Sequence, residues 1–187
     1  AARGIVFEGP WQEDEIDLVT EVLARFADRL GEARFLALIR KAVRAGTDGQ
    51  RQTLTLRRDV DDVDGMVGSW AFYLGQITIY EGLFDPEYLE ANYPLRFDLH
   101  LAHAPDGADS SSMFTVAHEL GHVLVDGMRE EHVSNGLAPT VIEDRYVDDI
   151  YLDYWVHPLN VPKESIVSEV ALWVLEVRRP PDVRAFH

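Results

Sequence analysis

The first fifty residues carry a pattern of apolar positions that predicts one strand followed by two helices. A short apolar run at residues 4–7 is typical of a strand. Apolar side chains then recur three and four residues apart, as on one face of an amphipathic helix, at Ile16, Val19, Leu23, Phe26 and Leu30. Gly31 interrupts this helix, and a second helical pattern runs to Ala45 before a glycine-containing loop at residues 46–49.

Between residues 51 and 103 the period changes to that of strands. Residues 53–56 alternate, and residues 95–101 form another strand-like run. The apolar runs at 70–74 and 77–80 flank Gly75, which predicts a hairpin with that glycine first in a type II′ turn. This part of the chain is therefore expected to form a small mixed or antiparallel sheet.

The second half returns to helical patterns. Residues 110–126 are apolar enough to form a helix buried on nearly all sides, and Gly127 is placed to end it. Further helical patterns cover residues 139–177, with prolines at the boundaries. We therefore predict an α+β fold in a single domain over residues 1–187. Its parts are an N-terminal strand and helices (1–50), a sheet (51–103), a central helix (110–126) and C-terminal helices (139–177).

Composition narrows the possible partners. With 33 acidic against 17 basic side chains the net charge is −16, so a nucleic-acid backbone would be repelled. No apolar run approaches the about 18 residues that a membrane span requires. The chain lacks Cys, which leaves imidazole and carboxylate as the metal ligands. We expect a monomer without nucleic-acid or membrane partners. No signal-peptide pattern opens the chain, so we expect a cytoplasmic location; the start at Ala1 leaves secretion after processing as the alternative.

The central helix carries the chemistry. His118 and His122 are four residues apart, so both imidazoles leave one helix face at a separation that a single Zn²⁺ can bridge. Glu119 lies beside them and can take a proton from a water molecule at the open position of the metal. No other residue from Thr115 to Leu124 can carry a charge. The motif predicts one zinc ion per chain and hydrolysis by an activated water.

This segment, His118-Glu119-Leu120-Gly121-His122 with its apolar flanks, resembles the active-site helix of the zincin metallopeptidases. The metzincin branch continues with Gly and His where this chain has Val125 and Met128. The resemblance is therefore to gluzincins, in which the third zinc ligand is a Glu on a later helix. It implies a zincin-like fold and a peptide or protein substrate.

Three glutamates compete for the role of third ligand. Glu169 lies 47 residues after His122 and flanks the apolar stripe of the last helix, whereas Glu164 points nearly opposite. Glu143 lies 21 residues after His122, near the spacing of thermolysin-like gluzincins. The longer spacing resembles the catalytic domain of anthrax lethal factor and compact gluzincin-like peptidases, which favours Glu169.

Two further parts of the site are expected from the same comparison. That family has a Tyr seven residues before the ligand Glu, where this chain has Pro162, so we expect Tyr154 or His157 to stabilise the oxyanion. Zincins resemble one another in binding substrate along an edge strand, for which residues 76–80 are the candidate. The predicted function is a zinc endopeptidase. The alternatives are a regulatory peptidase dedicated to one partner protein, resembling ImmA-type peptidases, and a non-catalytic zinc-binding interaction module.

Overall fold

The described part of the chain forms a four-stranded mixed sheet against which helices pack. The computed structural model describes residues 4–60, 66–92, 108–134, 167, 170, 171 and 173–175. The strands are β1 (Ile5–Glu8), β2 (Leu54–Asp59), β3 (Gly68–Ala71) and β4 (Gln76–Tyr80). The α-helices are α1 (Glu13–Leu30), α2 (Glu32–Gly46), α3 (Pro86–Asn92) and α4 (Ala108–Ser134), and short 3₁₀ helices cover Phe72–Leu74 and Glu81–Phe84. The α+β expectation is confirmed.

The strand order is β1-β2-β4-β3, with β3 at one edge. β1 and β4 both run parallel to β2, whereas β3 runs antiparallel to β4. Residues 5–8 thus contribute a strand to a sheet that was expected to arise from residues 51–103 alone. Parallel pairing of β1 with β2 and of β2 with β4 requires crossover connections, and the α1–α2 pair supplies the first of them.

Alternation along the strands places one apolar face of the sheet against the helices. On that face the pairs Phe7–Leu56 and Leu56–Ile77 continue across the sheet to Trp70. Buried side chains from α1, α2, α4 and the sheet form one hydrophobic core with them. The apolar face of the strands and the apolar stripes of the helices therefore pack together in a single hydrophobic core.

A buried ion-pair network ties α1 to the sheet. Arg58 on β2 is only 4% exposed. Its guanidinium donates to the carboxylate of Glu15 at 3.0–3.1 Å and to Glu81 at 2.6 Å. Glu15 also accepts a hydrogen bond from the backbone N–H of Gln12 at 3.0 Å, at the start of α1. The first turn of α1 is thereby held at one end of the sheet.

The prediction that the central helix ends at Gly127 is wrong, because α4 continues to Ser134. A Cβ atom built on Gly127 would lie 2.3 Å from the backbone oxygen of Leu38 on α2. This glycine therefore allows two helix backbones to approach closely instead of adopting the left-handed conformation of a helix end. The helix also begins at Ala108, two residues before the predicted start, and within its first turns Ser112 donates a hydrogen bond to the carbonyl of Leu83 at 2.8 Å.

The predicted hairpin is present, but its turn is different. A 3₁₀ turn at Phe72–Leu74 separates β3 from β4, and Gly75 is left-handed with φ 60° and ψ 40°, which is not the type II′ geometry. Helix α3 was not predicted within residues 51–103. The strand expected at residues 95–101 lies outside the described residues. No helix in the described ranges is both long enough and apolar enough to cross a membrane.

Candidate metal centre

The two histidines of the central motif project from one face of α4. His118 is only 5% exposed, and His122 is half-buried one turn later. Their rings stand edge to face with centroids 4.9 Å apart. A zinc ion bound at about 2.0–2.1 Å by one nitrogen of each imidazole would place the ring centroids roughly 5 Å apart. The spacing of this pair therefore fits a shared metal ion.

Glu119 turns toward the edge strand β3. A Cβ atom built on Gly68 would lie 3.0 Å from Cγ and 3.3 Å from Oε1 of Glu119, and 3.2 Å from Cγ2 of Thr115. The Glu119 side chain is 8% exposed. A carboxylate buried to this extent is costly unless something compensates its charge. A nearby cation and a hydrogen-bonded water would both do so.

The strand beside Glu119 lies at an edge of the described sheet. Among the described residues β3 pairs only with β4, and β1 forms the other edge. Residues 76–80, the predicted substrate strand, form β4, which is paired on both sides by β2 and β3. That prediction is wrong, because both edges of β4 are already used.

The opposite flank of the histidine pair faces the C-terminal segment. A Cβ atom built on Gly121 would lie 2.9 Å from Cγ1 and 3.2 Å from the carbonyl oxygen of Val167. Val125 and Val167 form a second buried cluster, against which Met128 packs. Gly121, Val125 and Met128 therefore form the stripe of α4 that contacts this segment.

The contacts at Gly68 and at Gly121 show which neighbours lie on either side of the histidines of α4. At 3.6 residues per turn, Thr115 and Glu119 lie on the side that faces β3, and Gly121 lies on the side that faces the C-terminal segment. His118 and His122 fall between these two sides. The imidazoles thus occupy the part of the helix surface between an edge strand and a second, C-terminal helical segment.

Not all the predicted site residues can be placed. His118, Glu119 and His122 lie together on α4, as the motif predicts. Within the described residues, no group of three or more His, Asp or Glu side chains is arranged to hold a metal ion. The other candidates lie outside the described residues, and their roles stay predictions; they are Glu169, Glu143, Glu164, Tyr154 and His157.

Two residues near the site were missed by sequence reasoning. Asp126 is 5% exposed, and its Oδ2 accepts a hydrogen bond from Nε1 of Trp70 on β3 at 2.8 Å. Its position four residues after His122 was a signal that could have been used, since it places the carboxylate on the same face of α4. Gly68 carries no such signal, because its role depends on the distance between β3 and α4.

Comparison with known proteins does not supply a family. No family model matches the chain, and neither a curated protein sequence nor a solved structure is significantly similar to it. A functional assignment therefore depends on the chemistry of the residues around α4.

Proposed function

We propose that the protein is a zinc-dependent endopeptidase whose metal is bound by His118, His122 and a third ligand from the C-terminal segment. The observation that carries this proposal is the pairing of two closely spaced imidazoles with a buried carboxylate that faces an edge strand. A structural zinc site has no use for the carboxylate, whereas a hydrolytic site needs a base beside the metal.

The three motif residues of α4, His118, Glu119 and His122, have distinct parts in the proposed reaction. His118 and His122 would hold a zinc ion, which would supply Lewis acidity and make a nearby water molecule more acidic. Glu119 accepts the proton of the attacking water and then delivers it to the departing amine. Its position beside Gly68 places the carboxylate next to the strand along which a substrate peptide would bind.

The substrate peptide would add to the sheet along β3. The outer edge of this strand offers backbone N–H and C=O groups, and Gly68 brings it within contact distance of Glu119. An extended peptide paired there by backbone hydrogen bonds would have a carbonyl close to the histidine pair. Residues 68–71 thus replace residues 76–80 as the proposed substrate strand.

Glu169 is the proposed third ligand. In the sequence it lies between Val167, which packs on Gly121, and Ala171, which is fully buried in the main core. Val167, two residues before it in the sequence, thus contacts the flank of α4 next to the histidines. A carboxylate completes the His₂Glu set with one open position that catalytic zinc sites use.

Substitution of Glu119 tests the catalytic proposal. Glu119→Gln removes the base while keeping the size of the side chain, so we expect hydrolysis of a peptide library to fall at least about a hundredfold. Zinc bound per chain, measured by atomic absorption, should be unchanged. The matched control is Glu130→Gln on the same helix, which should keep full activity.

The same zinc measurement identifies the third ligand. Glu169→Ala should weaken zinc binding at least about tenfold, whereas Glu143→Ala and Glu164→Ala should leave it unchanged. Normal zinc affinity in Glu169→Ala would refute that assignment. Tyr154→Phe and His157→Ala should each bind zinc normally, and a loss of kcat in one of them would identify the oxyanion donor.

Other outcomes distinguish the alternative functions. Stoichiometric zinc without cleavage of any library peptide, but with cleavage of one partner protein, would indicate a dedicated regulatory peptidase. Zinc binding without any hydrolysis would indicate an interaction module. A cytoplasmic location and a monomeric state stay predictions.

A further inference from the structure

The chain buries a second carboxylate on α4 that the proposed reaction does not use. Asp126 lies one turn after His122, and its Oδ2 accepts a hydrogen bond from the indole N–H of Trp70 at 2.8 Å. Trp70 belongs to β3, and its ring packs edge to face on Phe72 with centroids 6.4 Å apart. A charged side chain on a largely apolar helix therefore links that helix to the edge strand.

β3 meets α4 at two places that lie on either side of His122. At Gly68 the strand passes Thr115 and Glu119 at van der Waals distance. At Trp70, two residues along the strand, it is joined to Asp126. The contact at Gly68 is close packing without a preferred direction. The contact at Trp70 is a directional hydrogen bond to the carboxylate of Asp126.

Backbone pairing with β4 fixes the register of β3 within the sheet, so the contacts with α4 decide how this edge of the sheet lies against that helix. The strand has four residues and pairs with β4 on one side only in the described sheet. Packing energy changes little when a short edge strand moves by a fraction of an ångström, whereas a hydrogen bond weakens steeply with misalignment. The Trp70–Asp126 bond therefore adds a directional restraint between this edge of the sheet and the helix.

We propose that Asp126 is a positioning residue, which holds β3 in register with Glu119 and the histidine pair through its hydrogen bond to Trp70. A peptide bound along β3 then presents its carbonyl at a fixed place relative to the base. This inference rests on the proposed peptidase function, since β3 matters for the rate only if it binds the substrate.

Variants at both ends of the bond test the inference on the full-length zinc-loaded protein. Asp126→Ala and Trp70→Phe each remove the bond, and each should lower kcat about tenfold or more, with KM changed less and zinc content unchanged. Asp126→Asn keeps an acceptor oxygen and should stay within about threefold of wild type. The double variant Trp70→Phe/Asp126→Ala should be no slower than either single variant, because both remove the same interaction.

Amide hydrogen exchange gives a readout that does not depend on catalysis. Asp126→Ala should speed exchange of the β3 amides more than tenfold, while Asp126→Asn should not. If the wild-type protein cleaves no peptide, the peptidase proposal fails, and equal exchange in all variants would separately show that the bond does not hold β3.

Two results would overturn the role of Asp126. One is wild-type kcat in both Asp126→Ala and Trp70→Phe. The other is a loss of zinc from Asp126→Ala that Trp70→Phe does not share, because the carboxylate would then act on the metal centre and not on the strand. Trp70→Phe keeps the aromatic packing, so it carries the test if Asp126→Ala fails to fold.

Discussion

The contact between Gly68 and Glu119 makes Gly68→Ala a direct test of the site. The new Cβ atom would lie 3.0 Å from Cγ and 3.3 Å from Oε1 of Glu119. Carbon atoms in contact normally lie about 3.5–4.0 Å apart, so the carboxylate or the strand must move by at least a few tenths of an ångström, and by about 0.5–1 Å to restore that separation. The backbone of Gly68 does not have a positive φ, so alanine introduces no conformational strain there.

The expected effect is large for catalysis and small for stability. Misplacing a catalytic group by about 1 Å can lower a rate about a hundredfold, so we expect kcat/KM to fall about 10- to 100-fold. Such a fall corresponds to about 1.4–2.7 kcal/mol of transition-state stabilisation. The flexible end of Glu119 can yield to the new methyl group, so the free energy of unfolding should change by only about 1 kcal/mol.

The assay combines peptide hydrolysis, zinc content and thermal unfolding. Glu130→Gln is again the control, because Glu130 lies near the end of α4 and outside both the proposed substrate strand and the motif. Glu130→Gln should keep wild-type activity. Wild-type activity in Gly68→Ala would refute the argument that Glu119 acts from its position beside β3. Loss of activity together with loss of zinc would show that the centre collapsed instead.

Two further substitutions test neighbouring contacts of α4. Gly121→Ala would place a Cβ atom 2.9 Å from Cγ1 of Val167, so it should lower stability by about 1–3 kcal/mol and weaken zinc binding, and Val167→Ala in the same chain should restore part of both. Hydrogen bonds from Arg34 and then Lys41 lower the pKa of Glu131 from 4.5 to about 2. Because the pKa of this acid is lower in the folded state, its stabilisation is complete above pH 4.5 and is lost as the pH falls toward 2. Glu131→Gln should therefore cost roughly 0.5–1 kcal/mol at pH 7, the scale of solvent-screened ion pairs, and should flatten the unfolding free energy measured by urea denaturation between those pH values. Equal pH dependence of the variant and wild type would contradict this reasoning.

Local periodicity accounts for the elements that the sequence determined. Helices α1 and α2 and strands β1, β2 and β4 lie where the apolar spacing predicts them. The proximity of His118 and His122 is also local, since residues four apart on any α-helix project from the same face. The placement of the two histidines on one helix face and the mixed α/β composition were therefore available without a structure.

Only the tertiary structure decided which surfaces surround that motif. In the strand order of the described sheet β3 is an edge strand and β4 is an interior strand, although both have strand-like sequences. The sequence predicts that Gly127 ends the helix, yet Gly127 lies within α4. A glycine is needed there because the backbone of α2 passes next to it. The partners of Glu119 and Gly121 come from residues distant in the chain. Apolar periodicity reports which face of an element is buried, but not what buries it, because that depends on contacts between segments whose order along the chain does not determine their order in space.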